Sequence, residues 1–242
     1  KRQRVENMAY KKRFDGRKAD ELRPMEAKVG VVKRADGSAM FKIGKTIAVA
    51  AVYGPRELHP KFMQNPETGI LRCNYNMMAF SGSGERVRPG PSRRSKEISL
   101  VTEKALRSVL DLSKFPNAVI DVFIELIQTD SGTRCAGISA AAMALADAGI
   151  PMKDLVSAVA VGVIDGSIVA DVTKEEEDYE DGMGDIPIAL LPRNEEVTLL
   201  QLDGEITQEE LKKAVELGIK ACKQIYEVQK KALKEKYVRE SK

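Results

Sequence analysis

The sequence predicts an α+β fold built as one domain over residues 1–242. Three observations carry this. Short β-branched apolar runs come in a block ahead of any helical pattern. Helical periodicity then appears in only three stretches, and strands fall between them in groups rather than alternating one strand to one helix. No Pro- or Ser-rich linker divides the chain, and no solenoid-period repeat recurs. A hydrophobic content of 43% with 31% charge suits a globular chain, and the lack of Trp makes its core mostly aliphatic.

In chain order, a basic extension of about residues 1–12 precedes four strands: "AKVGVVK" (27–33), "SAMFKI" (38–43), "TIAVAAVY" (46–53) and "LRCNYNMMAF" (71–80). The links "ADG" and "GK" are turn signals. Residues 95–112 then place Ile98, Val101, Leu106, Val109 and Leu110 near one helical face. A strand over 118–128 leads into a small-residue helix over 133–149, which Gly149 and Pro151 stop. Residues 157–172 read as two strands around an Asp165-Gly166 hairpin turn. "IPIALLP" and "EVTLLQL" read as two more strands, and an amphipathic helix with a Lys-rich outer face runs from about 207 to 236.

Composition excludes several classes. No apolar run approaches the roughly 20 residues that span a bilayer. The basic first residues contain no apolar stretch of signal-peptide type. Cys73, Cys135 and Cys222 are odd in number, far apart and form no C-x-x-C pair, which argues against a disulfide framework or a zinc site. A reducing, cytoplasmic setting is the expectation. With His59 as the single histidine, Ser-His-Asp chemistry would have to use that residue. The net charge of +3 is small, but its distribution is uneven. Cations gather before residue 23 and again at Arg86, Arg88, Arg93, Arg94 and Lys96, while carboxylates crowd Glu175–Asp181. The plain alternative is two solvated loops.

Three stretches could carry chemistry. "QTDSGTRCAG" (128–137) sits where a strand hands over to a helix. Free N–H groups at a helix start favour an anion, Gly132 frees the backbone, Thr133 offers a hydroxyl, and Arg134 offers a bidentate fork suited to phosphate. It is not a Walker loop. The competing reading is an N-cap followed by an exposed Arg. In "PGPSRRSKE", Ser92 or Ser95 can cap a helix. Arg93 and Arg94 then oppose its dipole, which costs roughly 0.3–1 kcal/mol each unless an anion lies between them. Asp185 stands apart from the acidic run, against an apolar strand. There burial can raise its pKa and make it a proton donor, or it can hold a divalent cation against phosphate oxygens. Glu175, Glu176, Glu177 and Glu180 read as solvated.

The motifs resemble a known family. "RFDGRKADELRP" (13–24) is similar to the R-x-D-G-R…E-x-R-P opening of the RNase PH family. "GSAMFKIGKTIAVAAVYGP" resembles its next signature, and "DSGTR" resembles its phosphate loop. "ADAGIPMKDLV" and "GDIPIALL" also fit, so that the likeness covers about 10–240. "YGPRELHPK", "PGPSRRSKEIS" and "ALKEKY" resemble the catalytic RNase PH-like subunits of archaeal exosomes. The resemblance implies the RNase PH fold, related to ribosomal protein S5 domain 2. It implies a 3′→5′ exoribonuclease in which inorganic phosphate, as co-substrate, releases nucleoside diphosphates from single-stranded RNA, and a reverse tailing reaction. It also implies an alternating hexamer with an inactive RNase PH-like paralogue, and RNA-binding cap subunits. Ser131, Gly132, Thr133 and Arg134 would bind phosphate, and Arg93 and Arg94 would hold RNA. His59 and Lys61 would lie on the loop narrowing the ring's pore. Asp185 would be the catalytic carboxylate and a ligand for Mg²⁺ or Mn²⁺. The family usually has a second acidic residue six positions earlier, but position 179 is Tyr, which leaves Asp178 and Asp181 as candidates. Two other readings stand beside this one. One is a non-catalytic RNA-binding ring scaffold, which should lack some of these residues. The other is a free tRNA-trimming homohexamer, which "ELHPK" speaks against.

Overall fold

The computed structural model describes residues 10, 12–84, 86–179 and 182–240. Nine strands form two sheets. The first holds β1 (Met25–Val29), β2 (Gly37–Ile43), β3 (Thr46–Glu57), β4 (Ile70–Met77) and β5 (Ala118–Gln128), in the order β1-β2-β3-β5-β4. Its pairs are antiparallel except β4 with β5. A parallel pair needs a crossover, and α1 (Arg93–Arg107) supplies it. The second sheet holds β6 (Ser157–Ile164), β7 (Ser167–Ala170), β8 (Gly184–Leu191) and β9 (Glu196–Leu200), all antiparallel, in the order β7-β6-β8-β9.

Helix α2 (Thr133–Asp147) is the centrepiece. It packs on β2, β3 and β5 of one sheet and on β6 and β8 of the other. Every residue from Cys135 to Leu145 is buried. Its Ala, Gly and Ser content lets backbones approach closely. A Cβ added at Gly137 would lie 3.1 Å from Ile124 Cγ2, and one at Gly37 of β2 only 2.2 Å from the Ala148 backbone nitrogen. All eight residues of β6 are buried, as expected of a strand covered on both faces. Its covers are α2 and α4 (Gln208–Glu240). Buried Gln229 of α4 ties the three together: it donates to the carbonyls of Ser139 and Val156 and accepts from Ser157 Oγ. One continuous apolar cluster therefore runs from Phe41 through Ile138 to Ile188 and Ile225.

The α+β order holds, with shifts at the ends. β1 spans Met25–Val29 rather than 27–33, because Gly30 adopts φ +71° and turns the chain. α1 starts at Arg93, where Ser92 and Ser95 form a reciprocal capping box, and it ends before a separate 3-10 turn over Leu112–Lys114. A short helix, α3 (Lys174–Glu177), lies inside the acidic run, where a plain loop was expected. The cysteines are buried and free. No helix among the described residues is long and apolar enough to cross a membrane.

Candidate active site

A cleft of about 630 Å³ opens where the two sheets meet the start of α2. Its walls bring together Ser131, Gly132, Thr133 and Arg134 from the β5–α2 junction, Arg94 from α1, Asp185 from β8 and Asp178 just past α3. Four stretches, from α1, the β5–α2 junction, the end of α3 and β8, thus converge on one space.

The β5–α2 junction is shaped for an anion. Ser131 and Gly132 are both left-handed, at φ 56° and 62°. Gly132 is the N-cap and no side chain caps the helix, unlike α1 and α3, whose starts are closed by Ser92 and Thr173. The N–H groups of a 15-residue helix therefore face the cleft with the positive end of its dipole. Arg134 adds a formal charge. Its Nη1 donates to Gln201 Oε1 at 2.6 Å and lies 3.7 Å from Glu97 Oε1, which fixes the guanidinium at the wall.

Asp185 faces this positive end. It is the second residue of β8, followed by six buried residues, Ile186–Leu191. Its backbone exchanges hydrogen bonds with Asp203, N–H to carbonyl in both directions, at 2.8 and 2.9 Å. Oδ1 is buried without a hydrogen-bond partner. Burial pushes the carboxyl from its ordinary 3.8 up to about 6; Arg134 and Arg94 oppose the rise, while Glu177 and Asp203 add to it. This is the environment of a proton donor or of an acid awaiting a cation. A hard divalent ion such as Mg²⁺ fits the all-oxygen chemistry of Asp185 and its neighbours. No cluster of three or more ligating side chains exists among the described residues, so water and phosphate oxygens would complete its shell.

The two arginines of α1 separate. Arg94 lines the cleft and Arg93, exposed on the same first turn, does not. His59 and Lys61 lie elsewhere, on the loop between β3 and β4, with side chains 68% and 77% exposed. Asp181 lies outside the described residues. Asp178 reaches the cleft while paired to Lys174 Nζ at 2.7 Å. Tyr179 packs instead against Tyr10 and Phe14.

The reading of Glu176 as solvated is overturned. Its side chain is fully buried and receives Arg13 through two bonds of 2.8 Å and the Tyr10 hydroxyl at 2.6 Å. The cause is a capping box with Thr173. The signal T-x-x-E was present in the sequence but hidden in a run of like charge. Sequence reasoning also missed Asp203, Lys174, Glu177, Arg88 and Asn76 as wall residues. Arg88 directly precedes the P-G-P-S-R-R stretch, Lys174 adjoins the acidic run and Glu177 lies in it, whereas Asp203 and Asn76 neighbour no recognised motif.

Against family models, residues 21–151 match domain 1 of the 3′ exoribonuclease family and residues 154–221 match its domain 2. The chain belongs to the RNase PH family. The division falls between α2 and β6, the two elements that the common core joins. Within the family, the exosome complex component Rrp41 of Thermococcus kodakarensis is 57% identical over 94% of this chain and 90% of its own length. The Rrp41 of Methanopyrus kandleri is 52% identical over 93% of each. Among solved structures, rice Rrp46 matches with a TM-score of 0.80 at 27% identity, covering 91% of this chain and all of that one. A chain of the Archaeoglobus fulgidus exosome with RNA bound to the active site matches with a TM-score of 0.78 at 24% identity, over 90% of this chain and 92% of that one, a likeness of fold. The fold and the resemblance to archaeal exosome subunits expected from the sequence both hold.

Proposed function

We propose that the chain is the catalytic RNase PH-type subunit of an archaeal exosome, degrading single-stranded RNA 3′→5′ by phosphorolysis. The observation that carries this reading is the uncapped start of α2 with Arg134, set across one cleft from the unpartnered Asp185. Inorganic phosphate sits on the N–H groups and Arg134. Its oxygen attacks the last internucleotide phosphorus, the bond from that phosphorus to the preceding 3′-oxygen breaks, and a nucleoside diphosphate leaves. Asp185 supplies the proton to the 3′-oxygen. Arg94, with Arg93 beside it, holds RNA phosphates, which gives affinity without sequence preference. A Mg²⁺ or Mn²⁺ ion held by Asp185 would neutralise charge on the reacting phosphates.

Asp178 is the second carboxylate in this reading, because Tyr179 is occupied in packing; Asp181 is the other candidate. The chain alternates with an inactive paralogue in a hexameric ring, with His59 and Lys61 at the pore and RNA-binding caps on one face, in the cytoplasm. Support comes from the Rrp41 relatives and from the exposure of that loop, where Phe62 is 87% exposed. A non-catalytic scaffold is disfavoured because the cleft keeps Arg94, Asp185 and the S-G-T-R junction. The test is to incubate RNA with the chain and its partner, with and without phosphate, and to identify the released nucleotide. Diphosphates released only with phosphate are expected, with tailing when diphosphate is in excess. Monophosphates released at full rate without phosphate overturn the reading.

A further inference from the structure

We propose that Thr46 and Arg23 are positioning residues of the phosphate-binding junction, setting the peptide planes whose N–H groups face the cleft. The inference rests on the phosphorolytic reading above. Two consecutive left-handed residues, one of them the non-glycine Ser131, are disfavoured intrinsically and persist only where the surroundings fix them. What fixes them lies behind the cleft. Thr46, the first residue of β3, is fully buried and does not line the cleft. Its Oγ1 accepts from the Asp130 N–H at 2.9 Å and donates to the Ser131 carbonyl at 2.8 Å. Because a trans peptide holds C=O and N–H on opposite sides, drawing the Ser131 carbonyl toward Thr46 turns the Gly132 N–H the other way.

Arg23 does the same one peptide earlier. Its Nη1 donates to the Asp130 carbonyl at 2.6 Å and reaches Asp130 Oδ2 at 3.3 Å. Its Nε and Nη2 are anchored on the two carboxylate oxygens of Asp171, at 2.9 and 2.6 Å. Gly44 leaves room for this arm, since a Cβ there would lie 2.4 Å from Arg23 Cδ. The remaining oxygen, Asp130 Oδ1, accepts from the backbone N–H of Lys174 at 3.2 Å, at the first residue of α3. Glu177 and Asp178 follow within one turn and line the cleft. Asp130 thus fastens the phosphate side of the cleft to its acidic side. This gives the L-R-P and G-K-T segments a task that their sequence pattern alone does not reveal.

The test uses the chain assembled with its ring partner and inorganic phosphate as the probe. Thr46→Val keeps the shape and removes both hydroxyl bonds. Its KM for phosphate should rise about 10-fold, the scale of one to two lost hydrogen bonds. RNA affinity measured without phosphate should stay at the wild-type value. Thr46→Ser, which keeps the hydroxyl, should restore the KM. Arg23→Lys, which keeps the charge and loses the fork, should raise the phosphate KM in the same way, and it decides the matter if Thr46→Val fails to assemble. Titrating phosphate calorimetrically should show the same loss without turnover. A variant whose phosphate KM is unchanged, or one that loses turnover and RNA affinity in equal measure, overturns the proposal. A wild-type complex that needs no phosphate overturns the underlying reading instead.

Discussion

Asp185 combines two properties that pull against each other. Its carboxyl is buried, with one oxygen unpartnered, and its pKa stands at about 6 against an ordinary 3.8. Between those values the folded state holds more protons than the unfolded one. Stability therefore falls as pH rises through that window, and the full penalty stands at neutral pH. Asp185→Asn removes the penalty along with the acid. Turnover should drop about 10²–10⁴-fold, as for loss of a positioned acid. The melting temperature at pH 7.5 in chelator and phosphate-free buffer should rise, by about 5 °C. The gain should vanish below pH 4, where the wild-type carboxyl is protonated. Thermal melts across this pH range, paired with rates at saturating phosphate and Mg²⁺, check both halves; an Asn variant with normal turnover removes Asp185 from the chemistry. Arg93 and Arg94 should also part company. Arg94→Ala should weaken RNA binding and lower the salt slope by roughly one, whereas Arg93→Ala should have the smaller effect. Salt titrations of each single variant measure this, and equal effects would show that lining the cleft is not what matters. Ser131–Arg134, Arg94 and Asp185 were legible because each breaks a local rule or sits at an element boundary. Asp203 was not, since a turn aspartate has no signature until pairing with β8 brings it to the cleft.

At the scale of elements, helix starts mark the division of labour. α1 and α3 begin on capping boxes closed by their own side chains, while α2 begins open. Long periodic elements were read well from sequence: β5 occupies 118–128 as expected, and α2 starts at Thr133 as expected. Four-residue α3 was not, because a run of carboxylates conceals a helix too short to show periodicity. Its anchor is Glu176. Burial alone would raise that carboxyl, but Arg13, Tyr10 and the Thr173 N–H outweigh it and hold the pKa below the ordinary 4.5. A depressed pKa means stability that is present above the ordinary value and is lost as pH falls through the folded one. Glu176→Gln leaves the Arg13 guanidinium buried without a counter-charge, a loss of about 3–5 kcal/mol. The variant should melt well below wild type at pH 7, with the gap narrowing as pH falls below 4.5. Limited proteolysis should cut it near residue 13 first. An unchanged melt and digestion pattern would mean that the N-terminal motif is held by other contacts.

For the whole molecule, the question is whether two family domains make two folding units. The family models divide the chain at about residue 152. The core does not divide there. α2 belongs to the first half, yet it is buried between both sheets, and Ser139 accepts from the Ala158 N–H across the boundary at 3.2 Å. β1 of the first half packs on α4 of the second, and Lys236 Nζ of α4 meets Asp147 at the end of α2 at 2.7 Å. Arg13 donates to the Ala170 and Asp171 carbonyls, and Arg23 grips Asp171. Cutting the chain would expose the second-sheet side of α2 and strip the cover from β6, leaving each half with an apolar face and unpaired charges. Unfolding should therefore be a single cooperative transition, with calorimetric and van't Hoff enthalpies equal. Fragments 10–152 and 153–240 expressed apart should stay unfolded, and should regain helical and near-ultraviolet circular dichroism only when mixed. The candidate cleft follows the same logic, since Ser131–Arg134 come from the first half and Asp185 from the second. Activity should thus return with the shared core and not before it. Two resolved transitions, or an independently folded 10–152 fragment, would show that the cleft is assembled from two separately stable halves and that α2 does not bind them into one.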